Sequence, residues 1–104
     1  MSQTIGSFLS EKAYNMSAWL RSEGLATTGL TDLQEVQMVA LAQMLRDQFA
    51  DAIETRSFEP FFADKENMPL DVLKVVEHVQ KHTHMHDKFW RYLKLFSDTV
   101  GEHE

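Results

Sequence analysis

Apolar positions recur at helical spacing along most of this chain, and the longest such run, from Met68 to Val100, forms a single stripe. Met68, Val72, Val75, Val79, His82, His86, Phe89, Leu93, Phe96 and Val100 follow one another at alternating steps of four and three residues, the spacing that lines side chains along one seam of a helix. The stripe predicts a long last helix over about 69–100. On a strict 3.6-residue projection, Val72, Val75, Val76 and Val79 point one way, whereas Met85, Phe89, Tyr92, Leu93 and Phe96 point about a quarter turn or more away. Either the helix supercoils and keeps its seam on a partner, or it bends or breaks near 81–84, where Thr83 and a run of histidines make the weakest place.

Upstream, Ile5, Phe8, Leu9, Ala13, Met16 and Leu20 predict a first helix over about 2–23, with Gly24 as its stop and Leu25 to Leu30 as a connecting loop. Tyr14 and Trp19 lie to either side of that stripe, placed to cover a core edge or to meet a partner. Thr31 with Gln34 three residues later is a capping-box pattern, and a second helix is expected over about 31–55. Leu33, Val36, Met38, Ala40, Leu41, Met44, Leu45 and Phe49 cover roughly half of its circumference. One neighbour cannot bury a face that broad, so this helix should be central and touch at least two others.

Between 56 and 69 the periodicity fails. Pro60 is placed to open a short helical turn, and Asn67 to cap the last helix ahead of Pro69. Phe58, Phe61 and Phe62 either tuck under this connection and close one end of the bundle or form an exposed aromatic patch for a partner. The expected architecture is all-α: one domain over 1–104, a small helical bundle of three main helices joined in part by this short aromatic segment.

Composition narrows the function. An apolar fraction of 43% in 104 residues supports one packed core. A net charge of −6 without any cluster of Lys and Arg argues against direct binding to nucleic acid or to an anionic membrane. There are no cysteines, which excludes disulfides, Cys-ligated zinc, iron–sulfur clusters and thiol catalysis. The six methionines suit a plastic contact face. No signal peptide or apolar run of the roughly 18 residues a membrane span needs is visible, so a cytoplasmic location is the expectation.

The chemistry-bearing residues are few. His78, His82 and His86 are spaced four and four on the last helix, and histidines at that spacing can chelate zinc or another transition metal. Nothing else at a recognised ligand spacing accompanies them, so a metal is the second reading and no cofactor is the first. Two further readings treat them as seam residues, each ring satisfied by one partner, or as contact-face groups that make association depend on pH. With no nucleophile elbow and no Gly-rich phosphate loop, an enzyme is not expected. Asp47, Asp51 and Glu54 form an acidic face whose ordinary role is solvation; the alternative is an acidic decoy that occupies a nucleic-acid-binding protein. Lys88, Arg91 and Lys94 lie among Phe89, Trp90 and Tyr92, but their period assigns the basic groups to the solvent side. Trp90 and Leu95 project off the seam and are candidates for a second contact.

The surplus of apolar surface decides between these. The broad second helix, the long last helix, and Tyr14, Trp19, Trp90 and Leu95 outside the main stripes exceed what three helices need to bury in one another. The expected function is protein–protein binding as an accessory subunit, regulator or inhibitor, with self-association into a homo-oligomer.

Overall fold

The computed structural model describes residues 4–26 and 34–102. Its first helix, α1 (Ile5–Ser22), starts where the Thr4 hydroxyl accepts a hydrogen bond from the Ser7 amide at 3.1 Å, satisfying one of the free donors of the first turn. It stops at Gly24, which takes φ +92°, a region open to glycine at little cost. The Leu25 amide then donates back to the Leu20 carbonyl at 2.9 Å and the Gly24 amide to Arg21 at 3.0 Å, the paired bonds of a Schellman stop. Leu25 and Leu20, which such a stop brings together, are both buried.

The expected second helix is two helices. α2 (Glu35–Gln48) begins at Gln34, whose amide donates to the Gln37 side chain at 2.8 Å; Thr31, expected as the cap, lies outside the described residues. At Phe49 the backbone leaves helical geometry (φ −123°, ψ 17°), and α3 (Ala50–Thr55) restarts on a new axis. Phe49 itself goes into the core. α3 ends at Arg56, the only non-glycine residue with positive φ among those described (φ 56°, ψ 48°). A left-handed L-residue costs about 1–2 kcal/mol, and the exposed Arg56–Asp87 ion pair at 3.2 Å returns no more than about 1 kcal/mol. Arg56→Gly is therefore expected to raise the urea midpoint, by roughly 0.5 kcal/mol of stability; a lowered midpoint would show that the ion pair outweighs the strain.

The aromatic connection contains α4 (Glu59–Ala63), opened by Pro60. Asn67, expected as a cap, instead donates to the Asp64 carboxylate at 2.7 Å, and Pro69 is the residue that precedes α5 (Leu70–Lys81). The long last helix is broken. At His82 the backbone turns out of the helix (φ −122°, ψ 88°), Thr83–Met85 make one 3-10 turn, and α6 (His86–Glu102) follows. Two of the alternatives left open for this segment are thereby resolved in favour of the break. The break also rephases the seam: Met85 and Val76, off the heptad line, become fully buried, whereas His82 is exposed and His86 only half-buried.

Six helices thus replace the expected three, with no strand among the described residues. α2 makes its largest interfaces with α6 and α1, and α1 also packs on α6, so α2 is central as its broad apolar face requires, and α6 shares that role. The two helices meet most closely at Gly6, where an added Cβ would lie 2.7 Å from the Cβ of Glu35. Leu9, Met16, Met38, Leu45, Phe89 and Phe96 are among the core residues these three helices bury.

Candidate functional site

The aromatic residues expected to face a partner separate into two groups. Trp90 and Phe61 are in the core, 2% and 0% exposed, so neither is available at the folded surface. Phe61 stacks on Phe49 with ring centres 4.7 Å apart and 6° between planes, and Trp90 meets Phe58 at 4.9 Å and Phe89 at 5.0 Å. The face of α6 off the main seam is covered from within the molecule by α3, α4 and the residues between them. Phe58 and Phe62 are half-buried and pack against the same core. The aromatic segment therefore closes one end of the bundle.

Tyr14, Trp19 and Leu95 stay at the surface. Trp19 stacks on Tyr92 at 5.8 Å, and the Lys88 ammonium lies 5.3 Å above the Trp19 ring, close enough for a cation–π attraction. Burial pushes the Tyr92 hydroxyl above its ordinary range, so it stays neutral beside the tryptophan. Leu95 is half-exposed and borders a shallow depression with Lys88, Arg91 and Tyr92. Tyr14 is 60% exposed on the other flank of α1.

A third apolar surface lies on α2. Of its broad apolar face, Met38, Ala42 and Leu45 are buried. Val36 is 69% exposed, Ala40 is exposed and Met44 is half-buried; at i, i+4 and i+8 these three form one ridge. Beside the ridge, Leu41 and Met44 line a groove with Pro69 and Asn67. Leu41 also lines a wholly apolar cavity of about 30 Å³ together with Met16, Val72, Phe89 and Phe96. That cavity has room for little more than a water molecule and offers it no hydrogen bond.

The histidines are not arranged as an unbroken helix would place them. His78 and His82 stack with ring centres 4.2 Å apart and 20° between planes, and His82 Nδ1 donates to the His78 carbonyl at 2.7 Å. His86 lies beyond the break, with Nε2 3.3 Å from the Gln80 carbonyl and its ring 4.9 Å from Phe58, edge-on. The structure brings His84 to the cluster in its place: its ring is 6.1 Å from His82, and its Nε2 pairs with the Glu23 carboxylate at the end of α1. Among the described residues, no three His, Asp or Glu side chains already converge on one point that would hold a metal. Asp47, Asp51 and Glu54 are exposed, Asp47 accepting from Gln43 at 3.4 Å.

Comparison with protein-family models, with curated proteins and with solved structures finds no match to this chain. Among the described residues, no helix is long and apolar enough to cross a membrane.

Proposed function

We propose that this protein works by binding protein, as an accessory subunit, regulator or inhibitor, and that a second copy of the chain is the first partner to test. One observation carries the reading: the α2 ridge of Val36, Ala40 and Met44 continues into the groove at Leu41 and Pro69 without a core to cover it. Apolar ridges beside apolar grooves are what helix-in-groove and helix-on-helix contacts use. Trp19 and Leu95 add a second, mixed aromatic and basic face on α1 and α6, with Lys88 and Arg91 setting charge preference at its rim. The acidic net charge keeps such a chain soluble while these faces are open.

Light scattering coupled to size exclusion tests the proposal. At about 100 μM, a chain with a micromolar dimerisation constant runs mainly as a dimer. The double variant Val36→Glu, Met44→Glu is expected to run as a monomer with an unchanged far-UV spectrum, because both positions are on the open ridge. A wild-type chain that is monomeric throughout this range would remove self-association. Association that survives the double variant would remove the α2 ridge as its site and direct attention to Trp19 and Leu95.

A further inference from the structure

We propose that the corner where α5 runs into the 3-10 turn is a transition-metal site, with zinc as its metal, His82 and His84 as the leading ligands, His78 as the third, and Glu23 as the carboxylate that orients His84. The hydrogen bonds already formed select the nitrogens. A carbonyl oxygen only accepts, so His82 Nδ1, which meets the His78 carbonyl at 2.7 Å, carries the proton, and the neutral ring presents Nε2 as a lone pair. The Glu23 carboxylate likewise fixes the proton of His84 on Nε2 and leaves Nδ1 as the donor atom. A histidine whose second nitrogen is held by a carbonyl or carboxylate is the arrangement that orients metal ligands.

Distances between the rings agree in one pair and define the movement needed in the other. Two imidazoles on one tetrahedral zinc, with metal–nitrogen bonds of about 2.0–2.1 Å, hold their ring centres roughly 5–6 Å apart. His82 and His84 are 6.1 Å apart and nearly perpendicular, 85° between planes. His78 and His82, stacked at 4.2 Å, are too close to share a metal as they stand, so the His78 ring must swing off the stack by about an ångström. His78 has a reason to move: its Nε2 is buried without a hydrogen-bond partner, a state that costs free energy until something occupies the lone pair or proton. The helix break makes the set possible, because on an unbroken helix His84 would point away from His82 and no residue of α1 would be at hand. Oxygen ligands from water complete the coordination, and the imidazole donors suit zinc, copper or nickel rather than magnesium or calcium.

Titration of the full chain with zinc chloride, followed by calorimetry, and with cobalt chloride, followed by visible absorption, tests the assignment. One metal per chain is expected, with a dissociation constant of about micromolar or tighter, a raised melting temperature in zinc, and a cobalt band. His82→Gln and His84→Gln are each expected to abolish saturable binding, and Glu23→Gln to weaken it about tenfold through the orientation of His84. His86→Ala is expected to leave binding unchanged. Wild-type protein that shows neither saturable heat nor a cobalt band overturns the proposal without any variant. Binding that persists in His82→Gln and His84→Gln, or that is lost in a folded His86→Ala, overturns it as well, since the metal would then sit on another set.

Discussion

Trp90→Ala is expected to remove about 3–5 kcal/mol of stability, a large share of the roughly 5–15 kcal/mol that holds a domain of this size together. Trp90 is 2% exposed and sits where α6, α4 and the end of α3 meet, its ring 4.9 Å from Phe58, 5.0 Å from Phe89 and 6.1 Å from Phe61. Truncation would leave a cavity bounded by three aromatic rings that cannot all collapse into it, since Phe61 is also stacked on Phe49. Trp90→Phe keeps most of the volume and should cost less than half as much. Urea unfolding, read by far-UV circular dichroism, gives both values. If Trp90→Ala costs under about 1 kcal/mol, the aromatic end is not a core at all, and the residue belongs on a surface, as its position off the heptad seam first suggests.

Gly6→Ala should destabilise the protein by about 1–3 kcal/mol even though alanine is the better helix former by up to about 1 kcal/mol. The added Cβ would lie 2.7 Å from the Glu35 Cβ and 3.3 Å from its carbonyl oxygen, so the start of α2 must move relative to α1. Gly101→Ala is the control. There the nearest atoms are at 3.0 Å or more and belong to the Arg46 side chain, which can yield, so the helix-propensity gain should survive and the variant should be neutral or more stable. Equal effects at the two positions would show that the α1–α2 approach does not constrain the fold.

Local chemistry was the legible part of this structure. Gly24 marks the end of α1 because only that residue type reaches φ +92° without strain, and the weakness of 81–84 as helix was visible in Thr83 and its neighbouring histidines. The break at Phe49 carried no such sign, since phenylalanine is compatible with a helix; it follows from tertiary packing that draws Phe49 onto Phe61. Period alone gave α2 an apolar half but could not say which part of it would be covered, so Val36, Ala40 and Met44 looked the same as Met38, Ala42 and Leu45. Trp90 was placed toward a partner because the covering element, α4, was read as a loop. The histidine cluster was mistaken in membership for a related reason. Spacing selected His86, whereas the break substituted His84 and joined it to Glu23, a residue 61 positions away; no sequence period encodes that contact.

The two breaks, at Phe49 and His82, leave no helix longer than the 18 residues of α1, and reduce α3 and α4 to six and five residues. In water, isolated helices below about 12–15 residues seldom persist. Most of the helicity of this chain is thus borrowed from its side-chain packing, and the circular dichroism signal at 222 nm is in effect a gauge of the core: loosening the aromatic end melts α3 and α4 along with it, with no helical remnant left there to serve as a template for refolding.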